Sequence, residues 1–349
     1  MSAASVVPPG TVRVFAEPLC AATIRRSPAD FQVQELLGFV PDGDGGHDFL
    51  HVEKSGHNTQ WVAARLAEYA GVSSRDVGYS GLKDRDALTR QWFSVRRPAR
   101  RTVDWRAFAH EGVRLVECTR HRRKLRIGAH RRNRFVVALR GDRIDELADA
   151  IHERVQFFAA HGMPNYFGEQ RFGHDGGNLR LAAALFDGAQ LRRRQRGFAL
   201  SAARALIFNA ILCTRIERGD WNSLLPGECA NLDGSGSIFD VGDVDAALRA
   251  RCSALDIHPT ATLWGCGAPK SGGEAARVEL AAVEPHAHFA EGLVDAGVRA
   301  STRPLRVRVR DARCDAAENA VVLSFELPKG AYATALLGEL VDYRSRSST

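Results

Sequence analysis

Strand-like alternation marks both ends of this chain, and helical periodicity dominates its middle. In "ADFQVQELL", Phe31, Val33 and Glu35 alternate with Gln32 and Gln34, the period of a strand with two unlike faces. "PLRVRVRD" repeats the pattern near the other end, with Leu305, Val307 and Val309 on one face and arginines on the other. Between them, from about 179 to 217, "LRLAAALF" and "LSAARALIFNAILCTRIE" carry apolar residues at helical spacing. A strand-rich region interrupted by a helix-rich one reads as a sheet domain with a second domain inserted into it. A length of 349 residues exceeds what one core usually holds. The expected division is a flexible tail over 1–12, a discontinuous sheet domain over 13–160 and 305–349, and an inserted domain over 161–304.

Local signals fill in this outline. The segment around "PDGDGG" reads as two strands joined by a tight turn, a hairpin, and "NTQWVAARLAEYAGV" as a helix capped by Thr59. "DVGYSG" and "QWFSVRR" are strands entering and leaving a turn that contains Asp84. "VRLVECTRHRRKLRIGAHRRNRFVVALRG" gives two more, and "RIDELADAIHERVQFFAAHG" a helix closed by Gly162. Residues 219–275 show few strong periods. "AVVLSFEL" and "YATALLGELVDY" close the chain as a strand and a helix. No apolar run approaches the roughly 20 residues of a membrane span, and the N-terminus lacks the pattern of a signal peptide. The seven cysteines stand singly with no C-x-x-C pair, which favours reduced thiols in a cytoplasmic protein and argues against zinc.

Charge narrows the partner. The net charge is +7, and residues 119–135, "TRHRRKLRIGAHRRNRF", hold eight Arg and Lys. "VRRPARR" and "LRRRQRG" are further clusters. Three clusters in a positive chain point to a polyanion, and Lys and Arg on phosphates supply most nonspecific nucleic-acid affinity. Arg122, Arg123, Lys124, Arg126, Arg131 and Arg132 are the candidate RNA contacts. Phe31, Phe135 and Tyr332 stand at strand or loop boundaries, where aromatic rings can stack on unpaired bases, and this leans towards RNA.

The chemistry centres on "GYSGLKDRDALTRQWFSV", where Asp84 stands between Lys83 and Arg85. Cations beside a carboxylate favour its charged form, and a charged carboxylate serves as nucleophile, base or metal ligand. Asp84 with Asp86 suggests a metal-dependent nuclease, but no third ligand is near and the flanking cations would compete with the ion. "PDGDGG" lacks the downstream ligands of a calcium loop. "WGCGAPKSGG" has Pro269 where a phosphate loop requires glycine before Lys270. Neither a metal nor a nucleotide cofactor is indicated. The residues alone thus lead to an RNA-binding protein with cofactor-free aspartate chemistry. A noncatalytic RNA binder and a nuclease remain open beside it.

The Asp84 segment resembles the signature of the TruD family of tRNA pseudouridine synthases, with Gly81, Lys83, Asp84, Ala87, Thr89 and Gln91 matching. "RRSPADFQVQELLGF" is similar to the family's N-terminal segment, with Ala29 where Glu is usual. "HRRKLRIGAHRRNRFVVALR", "GMPNYFGEQRFG", "LSAARALIFNAIL" and "LPKGAYATALLGEL" follow in the family's order, so the likeness spans nearly the whole chain. It implies an α+β fold: a pseudouridine-synthase-type catalytic domain with a mixed, mainly antiparallel sheet, and an inserted α/β domain. It also implies a cofactor-free isomerase, expected as a cytoplasmic monomer, that acts on uridine 13 in the D arm of tRNA. Asp84 becomes the catalytic residue. Asn133 and Phe135 are implied to hold the uracil edge and face, with Phe31 and Tyr332 lining the pocket and Lys83 counted among the substrate contacts. Arg25 falls where the family commonly has lysine, which keeps the charge and alters the geometry. Asn165, Tyr166, Gln170 and Arg171 are expected to organise a cleft between the domains.

Overall fold

Strands at Ala21–Ile24 and Asp342–Ser345 pair with each other in one sheet. The computed structural model describes residues 11–99, 101–268 and 270–345. The first ten residues of the expected tail lie outside that range, as do Arg100 of "VRRPARR" and Pro269. The chain divides into a sheet unit (19–156, 310–330 and 341–349) and a helical unit (1–18, 157–309 and 331–340).

The sheet unit opens with strands β1 (Ala21–Ile24), β2 (Phe31–Leu37) and β3 (His47–Lys54), then helix α1 (Thr59–Ala70). Strands β4 (Val77–Tyr79), β5 (Leu88–Arg96), β6 (Val113–His121) and β7 (His130–Arg140) follow, and the chain leaves the unit within helix α2 (Ala148–His161). The helical unit contains β8 (Met163–Pro164), α3 (Gly177–Phe186), α4 (Arg193–Glu217), β9 (Cys229–Leu232), β10 (Ile238–Asp240), α5 (Ala246–Ser253), β11 (Ile257–Leu263), α6 (Gly273–Val283), α7 (Ala287–Asp295), β12 (Ser301–Pro304) and β13 (Arg306–Val307). Strands β14 (Arg310–Ala317) and β15 (Ala320–Pro328) return to the sheet unit, helix α8 (Ala333–Leu340) belongs to the helical one, and β16 (Asp342–Ser345) returns once more.

The large sheet runs β14-β15-β7-β2-β5-β3-β6, with β1 paired to β7 and β16, and β4 to β5. All pairings are antiparallel except β2 with β5 and β1 with β16. This is the expected α+β, mainly antiparallel architecture. One face of β3 and β5 offers Leu50, Val52, Phe93 and Val95 to Val62 and Leu66 of α1, and all six are fully buried. Phe49, Trp92 and Leu125 form a second cluster. In the helical unit a four-stranded sheet, β10-β9-β11-β12, is accompanied by the helices.

Several expectations change here. The segment around "PDGDGG" is not a hairpin, because β2 and β3 do not pair; β5 lies between them. Thr59 does not cap α1. Asn58 does, accepting from Trp61 N at 2.8 Å, and Thr59 is buried instead. Residues 219–275 contain three strands that short length and mixed burial hid from a periodicity reading. The arginines of "PLRVRVRD" do not all face outward: Arg306 is only 2 % exposed and donates to the carbonyls of His161, Cys252 and Ile257. Helix α4 is long and apolar enough to cross a membrane, contrary to the expectation from the sequence, but 56 % of that stretch is buried within the protein. Residues 13–18 and 331–340 group with the helical unit rather than with the sheet, since Arg13 Nε donates to Gly338 O and Val14 N to Glu339.

Gly78 in β4 permits the closest approach in the sheet unit near Asp84. A Cβ there would lie 2.3 Å from Leu125 O and 2.7 Å from Ser94 Oγ. Gly78→Ala is therefore expected to destabilise the protein by about 1–3 kcal/mol through overpacking, read from the midpoint of urea unfolding. An unchanged midpoint would mean that the chain at Leu125 retreats freely.

Candidate active site

The motif around Asp84 folds as it does because alternate residues from Ala87 into β5 point inward. Ala87, Thr89 and Gln91 are each fully buried, the two-residue period of a strand. Gln91 reaches back along its own hairpin and donates to Gly81 O, while accepting from Thr59 Oγ1 at 3.0 Å. Thr59 in turn accepts from Lys83 N at 2.9 Å. The first turn of α1 and the inward face of β5 thus close the turn that carries Asp84.

A third element holds it from below. Lys54, the last residue of β3, is 1 % exposed. Its ammonium donates to Asp84 O and His57 O, both at 2.9 Å, and lies 3.5 Å from Lys83 O. Among the described residues no carboxylate oxygen lies within ion-pair distance of it. A buried ammonium that has only carbonyl partners is poorly compensated, and burial brings its pKa down to about 8 against the attraction of Asp84. Arg85, beyond Asp84, completes the anchoring by donating to Gly56 O at 3.0 Å.

The Asp84 carboxylate itself stays accessible, with 42 % of the side chain exposed, and Oδ2 pairs with Arg25 Nη2 at 2.7 Å. Arg25 is 11 % exposed at its side chain and lies 4.0 Å over the ring of Phe31, a cation–π seat for the guanidinium. It follows β1 with φ of 57°, a left-handed backbone that costs a non-glycine residue about 1–3 kcal/mol. Neither cation adjacent in sequence makes this pair. Lys83 turns inward, donating to Asn133 Oδ1 at 2.7 Å and lying 3.3 Å from Glu35 Oε2. Burial pushes Lys83 down and Glu35 up, each against the attraction of the other.

Behind this lies a polar floor. Glu35 of β2 and Asn133 of β7 are register partners. Asn133 Nδ2 approaches His130 Nε2 at 3.4 Å, and His130 Nδ1 meets Ser80 Oγ at 2.6 Å. Phe31 and Phe135 are 3 % and 7 % exposed and pack edge to face at 6.2 Å, with Phe325 stacked on Phe135 at 5.5 Å. Phe135 is thus a core ring beneath Phe31 rather than an open stacking surface. No described hydrogen bond joins Asp84 to Asn133. The links run through Lys83 on one side and through Arg25 and Phe31 on the other.

The expected residues Arg25, Phe31, Lys83, Asp84, Asn133 and Phe135 therefore come together in the sheet unit. Tyr332 belongs to the helical unit, where its hydroxyl accepts from Arg171 at 2.7 Å. Asn165 and Tyr166 likewise bond Pro304 and Val12 of their own unit. Among the basic residues, Arg132 is tied to Glu326 at 2.9 Å and Lys124 donates to Arg75 O. Arg122, Arg123, Arg126 and Arg131 are exposed, with no carboxylate in ion-pair range among the described residues. Sequence reasoning missed Lys54, Thr59, Ser80, His130 and the carboxylate role of Glu35. Of these only Glu35 left a trace, as an acid on the apolar face of a strand.

The chain is similar to known proteins along nearly its whole length. The family model described as "tRNA pseudouridine synthase D (TruD)" matches residues 12–186 and 187–340. A curated tRNA pseudouridine synthase D of Methylococcus capsulatus is 45 % identical over 334 residues, covering 95 % of this chain and 94 % of the relative. One of Xanthomonas axonopodis is 42 % identical over 360 residues, covering 98 % and 96 %. A crystal structure of a putative tRNA pseudouridine synthase D from Methanosarcina mazei superposes with a TM-score of 0.74 at 20 % identity, covering 96 % and 95 %, a likeness of fold.

The buried floor sets a pH dependence. Burial lowers the His130 pKa from 6.5 to about 4, with Lys83 and Lys329 adding to it. The unfolded chain therefore binds a proton below about pH 6.5 that the folded protein refuses until about pH 4, and stability falls across that window as pH drops. His51, also lowered to about 4, contributes in the same direction. His130→Asn is expected to make the slope of unfolding free energy against pH shallower by about 1.4 kcal/mol per unit in that window. An unaltered slope would show His130 already protonated in the fold.

Proposed function

The chain belongs to the TruD family of tRNA pseudouridine synthases, and on that premise we infer that it converts uridine 13 in the D arm of tRNA to pseudouridine with Asp84 as the catalytic carboxylate. The observation that carries this reading is the Asp84–Arg25 pair: a carboxylate on a turn braced from three sides, partly exposed, with one oxygen held by a half-buried guanidinium. The other oxygen is left to act on a substrate.

The reaction is an isomerisation and consumes no external reagent. Asp84 attacks either the sugar C1′ or the base of a uridine turned out of its stack. The C1′–N1 bond breaks, the uracil turns in place, and C1′ bonds to C5 as the bond made by Asp84 breaks and returns the carboxylate. The proton on C5 is lost and N1 finishes protonated, so the atoms balance without oxidant or cofactor. Arg25 fixes the direction of the carboxylate and offsets its charge in the resting state. Asn133 has its carbonyl end committed to Lys83, and one amide hydrogen faces His130. The second amide hydrogen is available to a uracil carbonyl. The enzyme acts as a cytoplasmic monomer in this reading.

The deciding experiment is Asp84→Asn assayed on an unmodified tRNA transcript. Pseudouridine formation is expected to vanish while tRNA affinity stays within about threefold, the signature of a group used in the transition state and not in binding. Affinity lost in parallel with activity would make Asp84 a structural residue.

Lys54→Met tests the turn that positions it. This change removes a poorly compensated buried charge but leaves the carbonyls of Asp84 and His57 without their donor, so stability is expected to fall by about 1–3 kcal/mol. The single-turnover rate is expected to fall about a hundredfold because the carboxylate is no longer fixed to within an ångström. A wild-type rate would show that the turn holds itself without the ammonium.

A further inference from the structure

Between β6 and β7 the chain forms a loop that carries Arg122, Arg123, Lys124 and Arg126. Beside it lies an open hollow of about 820 Å³, lined by Phe39, Val40, His121, Arg122, Arg123 and Arg126 among others. Phe39 is 37 % exposed and Val40 86 %, which is unusual company for three arginines with no carboxylate in ion-pair range among the described residues. The ring of Phe39 lies nearly parallel to His121, centroids 5.0 Å apart at 27°, and is braced edge-on by Phe49 at 6.3 Å. The acid of the hollow, Asp42, is already engaged: its Oδ2 lies 2.9 Å from His121 Nδ1 and accepts from Arg122 N at 3.1 Å. The local field is therefore positive, and an aromatic surface stands within it.

The loop is also tied to the active site. Gly128 N donates to Ser80 O at 2.7 Å, and His130 N to Ser80 Oγ at 2.7 Å. Ser80 opens the turn that presents Asp84.

Resting on the reading of the chain as a tRNA pseudouridine synthase, we propose that this hollow seats an unpaired nucleotide of the tRNA, its base stacked on the Phe39–His121 pair and its phosphates on Arg122, Arg123 and Arg126. A flat aromatic platform accepts any base through its π face, and arginines track the backbone. An acidic protein segment would satisfy the arginines and leave the platform unused, so RNA is the better match.

The test measures binding of an unmodified tRNA transcript over a range of salt, together with single-turnover pseudouridine formation. Phe39→Leu keeps apolar packing and removes the aromatic face; it is expected to weaken binding about tenfold with little change in salt slope, as loss of one stacked base does. Phe39→Trp is expected to bind like wild type. The double change of Arg122 and Arg123 to Ala is expected to flatten the salt slope by about one to two. Thermal melts of each variant guard against loss of fold. If folded Phe39→Leu binds within twofold of wild type while the wild-type enzyme is active, the platform is overturned and the tRNA reading stands. A wild-type protein that neither binds nor modifies the transcript overturns both.

Discussion

A turn of eight residues, 80–87, can present a carboxylate in a fixed place only if something outside it satisfies its backbone. Here Lys54 does so from beneath, with an ammonium given over to carbonyl oxygens. Thr59 and Gln91 close the same turn from α1 and β5. The isolated buried charge is a poor choice for stability and a good one for geometry, since an ammonium can meet several carbonyls at once. With the turn held, the side chain of Asp84 is free to face outward and meet Arg25. That residue is itself held in a strained backbone and seated on Phe31.

The sheet order explains how separated segments arrive at one place. Strand β7 lies between β2 and β15. It therefore brings Asn133 opposite Glu35 on one side and Phe135 opposite Phe325 on the other. The start of the same strand carries His130 and adjoins the basic loop. Positive charge is sorted along this path. Arg132, Arg134 and Arg140 lie over the sheet and are neutralised by Glu326 and Asp30, whereas Arg122, Arg123 and Arg126 of the loop have no carboxylate in ion-pair range among the described residues. The same loop runs into Gly128 and His130, which bond Ser80 at the start of the turn bearing Asp84.

Much of this was legible in the sequence. Alternation in "FQVQELL" and "AVVLSFEL" and the period of α1 announced the elements. The motif from Gly81 to Gln91 picked out Asp84, and its spacing now has a physical cause in Gln91 bonding back to Gly81. Other features were not legible because they depend on pairing across long separations. The hairpin expected around "PDGDGG" failed since turn residues are local and strand order is not. Lys54 looks in sequence like any lysine at a strand end; only the fold shows its ammonium buried. The flanking cations are the natural partners of Asp84 by sequence, yet Lys83 turns inward to Asn133 and Glu35, and the partner is Arg25, fifty-nine positions away. Arg132, an expected RNA contact, is paired with Glu326, a partner 194 positions away that no local pattern announces.

The claim at the centre is that one carboxylate makes one modification. It is tested most directly by mapping pseudouridines in total tRNA from cells of the source organism lacking this gene and carrying either the wild-type or the Asp84→Asn allele in its place. Loss of pseudouridine at position 13 in the deletion, return with the wild-type allele and continued absence with the Asp84→Asn allele is the predicted result. Restoration of that pseudouridine by the Asp84→Asn allele would contradict the account.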